Sequence, residues 1–127
     1  MVLIDAERGK AAKLDELVGD EDDVAIAAIT VAELSVGVEL ANEERRARRT
    51  AFVAAVLEAV SVEPYDIDVA RAHGALLAHT RRSGRPRGAH DLIIAATART
   101  RDREVVSTDS GGFGDLPGVA VRGQAAS

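Results

Sequence analysis

Three carboxylates occupy places where an acid is costly: Glu33, Asp91 and Asp109. Glu33 lies in the run Ile29-Thr30-Val31-Ala32-Glu33-Leu34, at the start of an expected helix that follows an expected buried strand. Asp91 opens the most apolar helical segment of the chain, and Asp109 ends a strand and leads into a Ser-Gly-Gly turn. Carboxylates gathered without basic partners repel one another, and a divalent cation is the simplest means of keeping them ionised. An all-oxygen site suits a hard ion such as Mg²⁺ or Mn²⁺, which binds a few carboxylates, keeps waters and contacts phosphate. The chemistry implied is phosphodiester hydrolysis, with the metal acidifying an attacking water and stabilising charge in the transition state. His73, His79 and His90 are not spaced as a zinc site, and the chain has no cysteine to make one.

Each acid alone has a plainer explanation. Glu33 and Asp91 could be acids favoured by helix dipoles, and Asp109 could be a turn residue. Their joint placement favours function, because in a parallel α/β sheet the carboxyl ends of strands and the N-termini of the following helices share one edge. The arginines are weighed in the same way. Arg81, Arg82, Arg85 and Arg87 fall in an expected loop over residues 81–88, just before Asp91, where Arg82, Arg85 and Arg87 are candidates for RNA phosphate, together with Thr108 beside Asp109. Arg45, Arg46, Arg48 and Arg49 are grouped with Glu43 and Glu44 and form an exposed helix face or a partner surface.

The elements that must position these groups alternate between short strands and amphipathic helices, which predicts an α/β sandwich with a parallel sheet. Residues 2–4 are apolar, and Asp5 can cap a helix over residues 6–18. Residues 24–29 form a buried strand, and Thr30 caps a helix that carries Glu33 in its first turn. Asn42 opens a second helix whose core face is Phe52, Val53, Val56, Leu57 and Val60, the last of these beginning a short strand over residues 60–63. Asp66 caps a helix with Val69, Ala70, His73, Leu76 and Leu77 on one side. Residues 90–100 are apolar nearly all round and mark a buried helix; residues 104–107 and 119–121 are strands.

A chain of 127 residues fits one domain, over residues 1–127, with a frayed tail from residue 123. The absence of cysteine gives no sign of an oxidising compartment, and no apolar run reaches the ~20 residues of a membrane span, so the cytoplasm is the expected location. A net charge of −5 argues against coating nucleic acid by bulk electrostatics, but not against a local phosphate site. Lys10 and Lys13 are the only lysines, so arginine carries most of the positive charge. Phe52, Tyr65 and Phe113 are too few to form an aromatic platform for bases.

Three segments resemble the PIN-domain family, specifically its VapC-type toxins: Thr30-Val31-Ala32-Glu33-Leu34 with Gly37, the run from Gly84 through Asp91 to Ala98, and Ser107-Thr108-Asp109 followed by Phe113. The resemblance covers essentially the whole chain. It implies a three-layer α/β/α sandwich and a Mg²⁺- or Mn²⁺-dependent endoribonuclease. Such toxins are usually homodimers, inhibited by a cognate antitoxin whose C-terminal segment enters the active-site groove. By position, Glu33, Asp91 and Asp109 would be the second, third and fourth acids of the family's cluster. Family members begin with a strand ending in Asp-Thr-Ser, followed by a segment like Val2-Leu3-Ile4-Asp5. That alignment puts the first aspartate before Met1 and leaves the first, central strand missing or incomplete; Asp5 is left to helix capping, and the expected translation start lies upstream. The rival function is a catalytically inactive PIN-like module that binds an antitoxin or RNA. A receiver domain would need a lysine after its last strands, and a dehalogenase-type phosphatase is matched only by Asp66-Ile67-Asp68; both rank lower.

Overall fold

Three aliphatic residues, Val2–Ile4, form strand β1 at the centre of the sheet. The structure is a computed structural model that describes residues 2–4, 23–106 and 113–122. After β1 come β2 (Val24–Ala27), α1 (Ala28–Glu39), α2 (Glu43–Ala59), β3 (Ser61–Glu63), α3 (Ile67–Ser83), α4 (Ala89–Thr100), β4 (Glu104–Val106) and β5 (Val121–Arg122). The sheet order is β3-β2-β1-β4-β5, and every neighbouring pair is parallel. Val2 is level with Val24 on one side and Glu104 on the other, and Ile4 with Val106. Residues 2–4, expected to follow a central strand that is missing or incomplete, themselves take the central position in the sheet. An unfilled centre would leave the backbone groups of β2 and β4 unpaired, and an aliphatic run suits a strand covered on both faces. Asp5, the helix over residues 6–18, Thr108, Asp109 and the tail from residue 123 lie outside the described residues.

The order of strands fixes where the chemistry can sit. From β1 the chain steps to β2 and β3 on one side, then crosses to β4 and β5 on the other. Right-handed crossovers therefore place the helices after β2 and those after β3 on opposite faces, which makes three layers. The order reverses between β1 and β4, and the crevice beyond the carboxyl ends of those strands is the usual ligand position.

Two helix boundaries differ from expectation. Helix α1 starts at Ala28 without a side-chain cap, so Thr30 is inside the helix and Glu33 is in its second turn, not its first. Ala28 enters the helix readily, and Thr30 goes into the core at 2% exposure instead of turning out to cap. Helix α3 continues to Ser83 and stops at Gly84, whose φ of 67° is the left-handed conformation a helix-ending glycine supplies. Arg81 and Arg82 are thus in its last turn, outside the loop.

The predicted core face of α2 is also corrected. No residue of that helix is buried, and Phe52 and Leu57 are 51% and 41% exposed. The core lies instead between the sheet and the α3–α4 pair: Ala25 and Ala27 of β2, Val69 and Leu76 of α3, Leu92, Ile94, Ala95, Ala96 and Ala98 of α4, Val105, Phe113 and Leu116. Helix α2 packs on α1 and the edge strand β3, so it has no second layer to bury its apolar side. Its arginines serve its neighbour: Arg49 donates to the carbonyl of Gly37 at 2.8 Å, and Arg46 to those of Glu39 and Ala41. They satisfy the end of α1, whose last turn carries no basic residue of its own.

A charged clip ties distant segments together. The half-buried Arg101 meets Glu63 and Asp66, while the buried Arg103 meets Glu63 at 3.1 Å and the Asp23 carbonyl at 3.0 Å. Asp66 is also the α3 cap, accepting from the Val69 amide at 3.0 Å. The Arg101 guanidinium, and then that amide, hold the Asp66 carboxyl below the usual carboxylate range. Its contribution to stability is therefore complete above the unfolded value of about 3.9 and is lost as pH falls through the lower folded value. Asp66→Asn keeps a capping oxygen but not the charge. Urea midpoints should place the variant below wild type at neutral pH, with the gap closing in strong acid; a gap independent of pH would exclude the linkage.

Candidate active site

Helix α4 ends three residues before β4 begins, so its N-terminus lies at the opposite end, at the carboxyl edge of the sheet. Asp91 is the third residue of α4 and the acid of its first turn. Helix α1 leaves the carboxyl end of β2 directly and carries Glu33 to the same edge. The two elements meet where His90 Nδ1 lies 3.4 Å from Glu33 Oε1. Glu33, 38% exposed along its side chain, therefore lies against the first turn of α4, which also carries the half-buried Asp91.

Gly88 caps α4 without a side-chain hydrogen bond, and its φ of −58° and ψ of 138° suit any residue. Its small size has another use: a Cβ there would lie 3.2 Å from Asp91 Oδ2. The carboxylate folds back into the space that glycine leaves. Gly88→Ala should leave the melting temperature within a few degrees of wild type while displacing the Asp91 carboxylate. A displacement of a few tenths of an ångström there should lower hydrolytic activity roughly tenfold, since misplacement by 1 Å can cost about a hundredfold. Equal activity in the two proteins would show that the space is not needed.

The donors present fit a hard divalent ion. Mg²⁺ takes one or two carboxylates and fills its remaining positions with water and phosphate oxygens, and Glu33 and Asp91 are the acids that would supply them. Among the described residues no group of three or more acids or histidines is close enough to hold a metal. Asp109, named as the third acid, lies outside the described residues, in the segment that follows β4.

The arginine candidates separate. Arg82 is exposed in the last turn of α3. Arg85 donates to Asp115 Oδ2 at 2.7 Å, and a terminal nitrogen of Arg87 lies 3.6 Å from the same oxygen. Asp115 and His90 were not singled out as site residues by sequence: Asp115 sits in a Gly-Asp-Leu-Pro turn that resembles any solvated turn, and His90 was considered only as a zinc ligand.

The chain is similar to known proteins. The PIN domain family model matches residues 2–118. Ribonuclease VapC5 of Mycobacterium tuberculosis is 38% identical over 120 residues, covering 94% of this chain and 85% of that protein. The crystal structure of VapBC-5 from Mycobacterium tuberculosis, described as a member of the VapBC family of toxin-antitoxin systems, superposes with a TM-score of 0.72 at 29% identity, covering 95% of this chain and 97% of that one. DNA-bound VapBC from Salmonella typhimurium gives a TM-score of 0.74 at 30% identity, covering 79% of this chain and 74% of that one.

Proposed function

The chain belongs to the PIN-domain family, and on that footing we propose that it is a toxin-type endoribonuclease, dependent on Mg²⁺ or Mn²⁺ and held in check by a cognate antitoxin. The observation that supports this reading is the contact of Glu33 with His90, the neighbour of Asp91 in the first turn of α4, at the carboxyl edge of a parallel sheet. Those two side chains would hold the ion, with Asp109 as the third acid. When bound, the ion supplies an acidified water and a counter-charge for the phosphate. The chain's own part is to position the strand: the uncapped first-turn amides of α4 face the anion, and arginines flank it.

We assign the whole of residues 1–127 to this one domain, and we place the protein in the cytoplasm as a homodimer. Among the described residues no helix is long and apolar enough to cross a membrane. Val36 on α1, Leu40 just after it, and Phe52 and Leu57 on α2 are large exposed apolar side chains, which supports a state covered by a partner.

The test is cleavage of a structured RNA by the full chain in Mg²⁺, in Mn²⁺ and in EDTA. Cleavage is expected with either ion, is expected to stop in EDTA, and is expected to return with excess metal. Cleavage that persists in EDTA would overturn the metal assignment. No cleavage under any condition would favour the binding-only module.

A further inference from the structure

The loop between α3 and α4 and residues 113–117 enclose a cleft of about 220 Å³, lined by His79, Thr80, Ser83, Arg85, Arg87 and Asp115. Arg87 immediately precedes the α4 cap Gly88, so the cleft adjoins the edge that carries Asp91; four residues of chain span at most about 14 Å. The ion pair between Arg85 and Asp115 is exposed on both sides, at 66% and 64%, and a pair in that position adds little to stability. Arg87 differs. Its side chain is 14% exposed, and its Nε is buried without a hydrogen-bond partner. Its nearest carboxylate oxygen, at 3.6 Å, is beyond hydrogen-bond range and already accepts from Arg85. A guanidinium withdrawn from water with an unused N–H is a donor lacking an acceptor, and one carboxylate does not satisfy two arginines.

We propose that Arg85 and Arg87 form a subsite for a phosphate of the RNA strand beside the catalytic edge, and that Asp115 is its built-in competitor. In the free protein the carboxylate occupies Arg85 and leaves Arg87 short of an acceptor. A phosphate diester offers two oxygens to the planar guanidinium groups and displaces Asp115, which is exposed enough to turn into solvent. Thr80 and Ser83 add hydroxyls to the wall of the cleft. The inference rests on the ribonuclease reading above, and it names the part of the chain that recognises the substrate backbone.

The experiment measures binding separately from cleavage. A fluorescently labelled oligouridylate is titrated with the full chain in EDTA at several salt concentrations, using wild type, Asp115→Asn, Arg85→Gln and the double variant. Removing the competitor should tighten binding about three- to tenfold at low salt. Arg85→Gln should weaken it by a similar factor and reduce the slope of log affinity against log salt by about 0.7. In the double variant the gain from Asp115→Asn should largely disappear, because that gain passes through Arg85. An undiminished gain in the double variant would mark a general charge effect and overturn the proposal, as would an unchanged affinity in Asp115→Asn. Arg85 and Asp115 are exposed, so these variants should fold, and matching thermal unfolding curves would verify it. Cleavage by wild type in Mn²⁺ is scored separately. Its absence with the expected binding cycle would overturn the nuclease reading and leave the phosphate subsite, while cleavage without the cycle would overturn the subsite alone.

Discussion

Asp91→Asn should lower metal-dependent RNA cleavage by roughly 10² to 10³-fold while leaving the protein folded. The two side chains have the same shape, so the half-buried pocket beside Gly88 and the turn of α4 should keep their geometry. What is removed is one negative charge at the edge where Glu33 also lies. An amide oxygen is a weaker ligand for a hard divalent ion, so the loss falls both on holding the metal and on placing it against the developing charge of the phosphate. Removing one preorganised electrostatic group of this kind costs about 3–4 kcal/mol in barrier, which is the fold-change given. Folding stability should fall only slightly, by about 0.5 kcal/mol, as the charge also favours the first turn of α4. Single-turnover cleavage at saturating Mn²⁺, paired with thermal unfolding, separates the two effects. A variant that cleaves within threefold of wild type would remove Asp91 from the metal site.

How far the sequence carried this picture depends on what each residue had to compete with. Asn42 and Asp66 were legible as caps because a side-chain oxygen followed by a helix-forming run has one good conformation, and both accept the amide three residues on. The buried character of α4 was legible too, since apolar residues on every side of a helix leave no solvent face. Thr30 shows the limit. Its type favours a cap, but the helix begins three residues earlier and draws it into the core, so a tertiary preference overrides a local one. The pairing of Glu33 with the first turn of α4 was readable only as a shared sheet edge, and the contact through His90 depends on how α1 and α4 pack across residues 57 apart in the chain. Asp115 was not legible at all, because its partners lie 28 and 30 residues away in an arginine loop that local patterning treats as solvated.

Leu76→Ala should be the most damaging of the conservative core truncations in α3, and comparing it with Phe52→Ala tests the architecture itself. By pattern alone both residues lie on the apolar face of an amphipathic helix and should cost similar amounts. The fold separates them. Leu76 is fully buried where α3 packs on α4, among the side chains of the central cluster, and its removal leaves a cavity that this close-packed layer cannot easily close. The expected loss is about 3 kcal/mol, within the range for such sites, and corresponds to a fall in melting temperature of roughly 10–15 °C. Phe52 is half exposed on α2, beside an edge strand and away from that cluster, so its truncation should cost less than about 1 kcal/mol despite the larger side chain. Because α3 supports the helix that carries Asp91, Leu76→Ala should also lose RNA cleavage over the same temperature range in which it unfolds, while Phe52→Ala keeps it. Denaturant midpoints for the two variants decide the matter: equal losses would mean that α2 contributes to the core as its periodicity suggests, and that the α3–α4 layer is less dominant than its burial shows.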